Sequence, residues 1–525
     1  MKRNSILLGV IFTIISFGAI SQSVEVDWGM EQNIEKGTFI QKVIGSDSEQ
    51  FFTLRTEGVN GFEGGKIFLE KYDLATKEVN SSAELVLPMV NGNEAKFLDM
   101  YYFKGKLILF TEVMEHTIMR RNLYVQYMNE DGTIKNKPLK MGSLPASNLP
   151  EDGFTVQLYP KESLFLIVYN SSFESYAGEA FSTKLMDENL TEKWSKDLAF
   201  PLSETKFKVT QYLLGPSGNV YFVVDCEKKV TKGRTELISK EPVIIVYNSI
   251  RKEINDYNIE MKKYIPKEIK INLDKNENIV IFGSLSAKNT NTIEGYFFQR
   301  INPKTQTIEF GTAEKNNFIA FSKNKVDVFA GKRYEKLGAN KFDFVMKEVI
   351  VLENGISFLL VENYFTEIKE IIDPKTKEKT EIVYSNYNDL MVLMANENGN
   401  MATLQYPVRV VGKSQYGIND FGYWSSYYAT ASGSKMKIIF NDANGNKDIY
   451  NDKLSTFKTN VVTYPKGSAY VVTVYSDGSA EKDELFTENY SKYITSPKLV
   501  APYKDGFIIY GQEKSKYKFG TFFFE

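Results

Sequence analysis

The chain has one histidine, His116, in EVMEHTIMRRN, and that scarcity limits its chemistry. Imidazole is the usual general base near neutral pH and a leading zinc ligand. A zinc site with two or three histidines cannot be built here. A Ser–His–Asp triad would have to run through His116, which sits in a predicted loop, and no G-x-S-x-G turn is present. His116 therefore reads as an exposed loop residue. The single cysteine, Cys226, lies in the strand-like run VYFVVDC and cannot form a disulfide within the chain, so it reads as a buried strand residue. Carboxylates survive this filter. Glycosidases need two acids about 5 to 10 Å apart, but 66 acidic residues supply candidates in every turn and no pair stands out. There is no sialidase-type S-x-D-x-G-x-x-W box, and three tryptophans cannot supply a quinoprotein docking repeat. Phosphate-cradling loops are absent. Catalytic residues are accordingly assigned to none. Two turns, Asp442–Asp448 (DANGNKD) and Asp274–Asn278 (DKNEN), offer oxygen ligands at alternate positions. Gly445 stands fourth where an EF-hand loop wants its glycine sixth, and DKNEN has none. Both read as hairpin turns, with no metal-binding residue assigned and calcium the only cofactor in view. The remaining lead is aromatic: Tyr416 in GKSQYG, then Tyr423, Trp424, Tyr427 and Tyr428 in GYWSSYY. Tyr and Trp suit interfaces because one end is apolar and the other can hydrogen-bond.

The elements that must hold these residues are strands. A turn followed by a short β-branched or aromatic run recurs about every 55 to 80 residues: Ser48–Arg55, Lys104–Phe110, Glu162–Val168, Ser217–Val224, Asn276–Gly283, Asn354–Glu362, Ser434–Asn441 and Asp505–Gly511. Each is taken as the opening strand of a unit. A second strand follows, as in Lys66–Val79, Asn122–Leu139 or Gly295–Gly311. Small sheets cannot bury both faces alone, whereas sheets stacked radially can. The expected fold is all-β, a seven- or eight-bladed β-propeller closed by N- and C-terminal strands, with Val24–Trp28 and Thr38–Ile44 completing the short last unit. Two β-sandwich domains are the competing architecture, weakened by the lack of a Pro- or Ser-rich linker. Extra length is expected in loops of the later units. Asn317–Arg333 breaks the pattern, because Phe318, Phe321, Val328 and Phe329 share one side of a helical wheel interrupted by Lys325. A short amphipathic helix and an irregular loop both fit it.

Residues 1–21 have the form of a signal peptide: Lys2 and Arg3, then an apolar stretch Ile6–Ile20, then the cleavage site Ala19-Ile20-Ser21. A membrane anchor is the alternative, but the stretch is short for a span. No cysteine follows to carry a lipid. The mature chain, 22–525, is expected to be one domain, periplasmic or secreted, with no transmembrane segment after cleavage. The 64 basic and 66 acidic residues nearly cancel, which argues against a nucleic-acid partner.

The signal, the Lys/Asn/Ile/Tyr-rich composition and the series Asn354–Phe365, Asn388–Asn400 and Val411–Asp420 resemble the exported β-propeller proteins of Bacteroidetes-type bacteria. The resemblance covers the second half best. It carries over no catalytic residue. It implies a non-enzymatic protein-binding scaffold or accessory component of a cell-envelope complex, with an envelope protein as partner. An outer-membrane channel is one such partner, in the manner of the periplasmic plug of the type IX secretion translocon. The alternative is a carbohydrate-active propeller, glycoside hydrolase or lectin-like, using paired carboxylates.

Overall fold

A computed structural model describes residues 25–524 except 60, 63–64, 147–152, 172–179, 200–206, 233–234, 260, 262–263, 288–292, 311–316, 321–343, 402–407, 412–414, 447–454, 461–463 and 487–491. The signal peptide and most of Asn317–Arg333 lie outside the described residues. So do the last residues of Asp442–Asp448.

The protein is all-β, and its described strands form eight sheets, each built almost wholly of antiparallel neighbours in chain order. The first comprises Thr38–Ser46, Gln50–Glu57, Ile67–Asp73 and Val79–Glu84. The second is built on Asn93–Phe103, Lys106–Glu115, Arg120–Met128 and Leu139–Pro145. The third comprises Phe154–Tyr159, Leu164–Ser171, Ala180–Asp187 and Glu192–Ala199. The fourth comprises Phe207–Leu214, Val220–Lys232, Thr235–Asn248 and Glu253–Asn258. The fifth is built on Tyr264–Leu273, Ile279–Ala287, Ile293–Asn302 and Thr307–Glu309. The sixth is built on Phe344–Val351, Ser357–Ile372 and Lys379–Ala395, with Gln415–Ile418 beside the last. The seventh comprises Tyr428–Ser432, Lys435–Asp442, Ser468–Val474 and Ala480–Glu484. The eighth is discontinuous in sequence. Ile494–Thr495 and Ala501–Tyr503 lead into Gly506–Glu513 and Lys516–Phe522, and the N-terminal Val26–Trp28 and Gln32–Asn33 pair with Lys516–Phe522.

All eight recurrent apolar runs fall on the second strand of a sheet, not the opening one. The reason is burial. A second strand has a neighbour on each side and a packed sheet on each face, so its sequence is continuously apolar. Val220, Tyr221, Phe222, Val223 and Val224 are all fully buried. The fourth strands lie outermost and read polar, with Val79–Glu84 exposed along most of its length. Opening strands are polar and irregular and so escape an apolar pattern.

Eight hydrophobic clusters sit between successive sheets. One joins the first and second sheets through Phe52, Leu54, Leu107 and Leu109, and equivalent clusters follow through the seventh and eighth. The last joins the eighth sheet back to the first: Tyr510, Tyr517 and Phe519 pack on Ile40, Phe51 and Tyr72. Phe51 stacks on Tyr72 with ring centroids 4.8 Å apart. The N-terminal strand is seated by two glycines. A Cβ on Gly511 would lie 2.7 Å from the Trp28 ring and one on Gly520 would lie 2.5 Å from Val26 and 2.9 Å from Trp28. Only residues without a side chain let the indole lie flat there.

Two expectations are corrected. Thr38–Ser46 opens the first sheet instead of completing the last, because its apolar face is needed between Phe51 and the eighth sheet. Phe318–Ala320, the start of the proposed helix, is a strand paired with Gly295–Phe297, where Phe318 and Ile319 pack into the fifth sheet's two faces. No α-helix is present among the described residues, and no helix there is long and apolar enough to cross a membrane.

Candidate functional site

The first strands of neighbouring sheets lie side by side, and five of them share one irregularity. The register slips between Ile40 and Lys42, Phe97 and Asp99, Val209 and Gln211, Pro266 and Glu268, and Met346 and Glu348. Each is a β-bulge followed by a polar residue, which re-aims that side chain away from the sheet core. In the eighth sheet a 3₁₀ turn, Pro497–Leu499, interrupts the inner edge instead and presents Lys498. The result is a row of polar groups: Lys42, Asp99, Gln211, Glu268, Glu348 and Lys498.

These and neighbouring groups bridge every junction between sheets. Lys42 forms an ion pair with Asp99. Tyr101 donates to the carbonyl of Val156 at 2.9 Å, and the N–H of Leu214 donates to Tyr159 at 3.0 Å. Gln211 grips Ile271 at both ends, its Nε2 donating to the carbonyl at 2.7 Å and its Oε1 accepting from the N–H at 2.9 Å. Asn272 donates to the carbonyl of Val349 at 2.7 Å. Tyr427 hydrogen-bonds Glu348. Asn441 accepts from the N–H of Thr495 at 2.9 Å and donates to its carbonyl at 2.6 Å. Lys498 donates to Gln41 at 2.8 Å, joining the eighth sheet to the first.

Charge in the row is perturbed by burial. Burial pushes the Glu268 carboxyl up; Lys270, 3.7 Å away, pulls it down and the Asp225 carboxylate adds to the rise. Burial also raises Glu348, against the Tyr427 hydrogen bond and Lys347. Lys347 also pairs with the fully buried Glu362 at 3.0 Å. Burial lowers Lys498 to about 8, with Asp420 pulling the other way. Two chemistries are available. Glu268, with the Asp225 carboxyl in its surroundings, is inclined to hold its proton because it is buried. Lys42, Lys347 and Lys498 supply hydrogen-bond donors for a polar or anionic group. Sequence reading missed this row. Its signal is slight: a polar residue one place past the bulge in a strand of mixed polarity, as in Ile40-Gln41-Lys42-Val43, Phe97-Leu98-Asp99-Met100 and Pro266-Lys267-Glu268-Ile269.

The aromatic candidates are dispersed. Tyr423 is fully buried and Trp424 nearly so, both in the core between the eighth and first sheets, which corrects their placement on a recognition surface. The chain is folded there around the buried Asp420, which accepts from Ser425 Oγ at 2.7 Å, Thr459 Oγ1 at 2.6 Å and the N–H of Gly422 at 3.2 Å. That knot turns Tyr423 edge-on to Phe39 at 5.2 Å and leaves Phe421 as the exposed ring. Tyr427 belongs to the polar row, and Tyr428 packs on Phe507 at 6.0 Å. Tyr416 alone joins a different surface, with its ring 5.4 Å from Tyr384.

That surface is the hairpin of the sixth sheet. Its strands, Ser357–Ile372 and Lys379–Ala395, are 16 and 17 residues long. Among the described residues, pairing of the first with Phe344–Val351 ends at Asn363, and Tyr364–Ile372 continues past it. Glu367–Thr380, a loop by sequence, is thus mostly ordered ribbon. Asp373 holds its turn by accepting from the N–H groups of Lys375 at 2.7 Å and Thr376 at 2.9 Å. Ile368, Ile371 and Ile372 are 65%, 46% and 52% exposed. Isolated surface isoleucines are ordinary, but three on one projecting ribbon form an unusual apolar tip.

The other candidates resolve simply. Asp442 accepts from Lys482 at 2.9 Å, Asn446 at 2.8 Å and the N–H of Ala443 at 2.8 Å, so its carboxylate is held by an ammonium and two N–H groups. Asp274 closes a turn by accepting from the N–H groups of Asn276 and Asn278. His116 is exposed in the turn after Glu115, and Cys226 is buried. A concavity of about 470 Å³ lies beside Tyr102, Lys106, Tyr127 and Lys135, with Glu130 on its rim paired to Lys71 at 2.8 Å.

No known protein family matches this sequence, and no curated protein does. Among solved structures, the polysaccharide lyase Uly1 is similar at a TM-score of 0.36 and 11% identity, over 96% of this chain and 98% of that one. An ulvan lyase bound to a sulfated disaccharide repeat is similar at 0.38 and 9%, over 80% and 90%. The β-propeller domain of the Trilobed protease from Pyrococcus furiosus is similar at 0.32 and 8%, over 86% and 98%. Similarity this loose transfers no activity, substrate or blade count to the chain.

Proposed function

We propose that the eight sheets are the blades of one eight-bladed β-propeller, residues 22–525, closed by its N- and C-terminal strands. Its role is that of an exported, protein-binding component of a cell-envelope complex. The sixth-sheet hairpin carries this reading. Ile368, Ile371 and Ile372 on this ribbon are exposed with no described segment packed over them, and a partner would bury them. Tyr384 and Tyr416 extend the apolar patch toward the body, with Lys369 over the Tyr384 ring at 4.8 Å. An outer-membrane channel or another envelope protein is the partner class. The test is purification of the native protein from mild-detergent envelope extracts beside a variant with Lys369–Ile382 replaced by a short turn and Ile368 by serine, which keeps the pairing of Val383 and Tyr384 with the body. A stoichiometric partner held by the first and lost by the second, at equal melting temperature, supports the reading. Recovery of the native protein without any stoichiometric partner overturns it.

A second reading, carbohydrate-active, is favoured by one observation: burial leaves Glu268, on the bulged opening strand of the fifth sheet, inclined to hold its proton, with the Asp225 carboxyl in its surroundings. A carboxyl that keeps its proton beside a second acid suits general acid–base cleavage of a glycosidic bond. Glu268→Gln is expected to abolish any such activity on oligosaccharides while leaving melting intact.

A further inference from the structure

The hairpin also has an unused edge. Tyr384–Tyr387, on one strand, is covered by Gln415–Ile418. On the other strand, pairing with Phe344–Val351 ends at Asn363, and from Tyr364 to Ile372 the outer edge has no strand beside it among the described residues. Every second residue of this stretch directs its N–H and C=O outward, and with no described strand beside them these groups are a template for another strand. Natural edges of this kind are normally blunted by charge, bulges or a covering segment. Here the charges have a particular order: Glu367, Lys369 and Glu370 interleaved with Phe365, Ile368, Ile371 and Ile372.

We infer that this edge pairs with the same edge of a second copy of the chain, antiparallel about a two-fold axis at Ile368. In that register Ile368 faces Ile368 of the second copy. Glu367 faces Lys369, Ile371 faces Phe365 and Ile372 faces Tyr364, and Glu370 faces Thr366. Every apolar side chain then meets an apolar one, and the one cation of the edge meets an acid, twice over by symmetry. The other register that sets Lys369 opposite an acid pairs it with Glu370. That register buries Glu367 against Ile372 and sets Thr366 opposite Asp373, so the sequence of charges selects one alignment against its neighbour. The joined hairpins form a continuous four-stranded ribbon whose apolar faces remain available. The dimer neither requires nor excludes the binding role proposed above.

The test is mass in solution by light scattering of the purified mature chain across micromolar concentrations, with charge-swapped variants. The native chain is expected to be a dimer. Lys369→Glu sets two acids opposite two acids and Glu367→Lys sets lysines opposite lysines, so each single variant weakens the dimer by roughly tenfold. The double variant Glu367→Lys with Lys369→Glu restores the pairing and the native mass. These positions are exposed, so circular dichroism and melting are expected to stay native in all four proteins. A native chain that remains monomeric overturns the inference, as does a dimer indifferent to the single variants or not rescued in the double.

Discussion

Asp442 and Lys482 are 0% and 1% exposed and meet at 2.9 Å. Burial pushes the carboxyl up while the ammonium pulls it down. Removing one partner leaves a buried charge alone, so Lys482→Met is expected to cost about 3 kcal/mol or more. Chemical denaturation measures it, and a loss under about 1 kcal/mol would show that Asp442 is stable by its other hydrogen bonds. Glu348 titrates with the opposite consequence for design. Its folded carboxyl lies above the ordinary value of 4.5, so the folded state holds the proton more tightly than the unfolded one. That difference costs stability as pH rises from 4.5 through the raised value, and the cost is complete above it. Glu348→Gln keeps an acceptor for Tyr427 and is expected to stabilise the protein at neutral pH, with the gain shrinking as pH falls through the raised value and absent below pH 4.5. Melting curves across that range check both sign and window. At this scale the sequence was least legible. Side chains of the polar row act at bulges, and a one-residue slip in register leaves no mark in composition. Tyr423 and Trp424 illustrate the converse. Their types suit a surface, and only the fold around Asp420 turns them inward.

Elements were far more legible, because burial on both faces writes itself into a strand as unbroken apolar sequence. The eight runs located eight second strands. They were taken for opening strands because the true opening strands alternate poorly and carry Lys42, Asp99, Gln211, Glu268 and Glu348. The N-terminal strand was legible as well: Val24–Trp28 reads as a partner of the last unit, and Val26–Trp28 pairs with Lys516–Phe522, one indole lying over two glycines. Trp28→Ala is expected to lower stability by about 3 kcal/mol, within the range for emptying a large aromatic site, and Gly520→Val to act in the same direction by displacing Trp28 and Val26. Thermal melting of both variants checks this. The hairpin is expected to behave oppositely. Its outer half is exposed and has no described segment packed on it, so shortening it leaves the melting temperature within a degree or two of the native value.

At the scale of the molecule, the eight clusters and the polar bridges describe a circuit in which each sheet is both supported and supporting. A ring has no weak end, so unfolding is expected to be a single transition, and opening the seam destabilises all sheets together. The composition anticipated this much: a single cysteine leaves burial as the only staple, and a chain of this size has ample surface to bury. The sequence pattern points to Val24–Trp28 as a partner of the last unit, and Val26–Trp28 does pair with Lys516–Phe522; what it misplaces is Thr38–Ser46, which opens the first sheet.

Closure is tested most directly by a covalent link across that seam. Asp27 and Thr521 are cross-strand partners. With both replaced by cysteine and the sole native thiol, Cys226, buried, mild oxidation of the folded protein is expected to circularise the chain, seen as a faster band on a non-reducing gel that reduction abolishes. Oxidation in denaturant should yield no such enrichment. Failure of the folded protein to form the link, under conditions where both introduced thiols react with a small reagent, would contradict the closed ring.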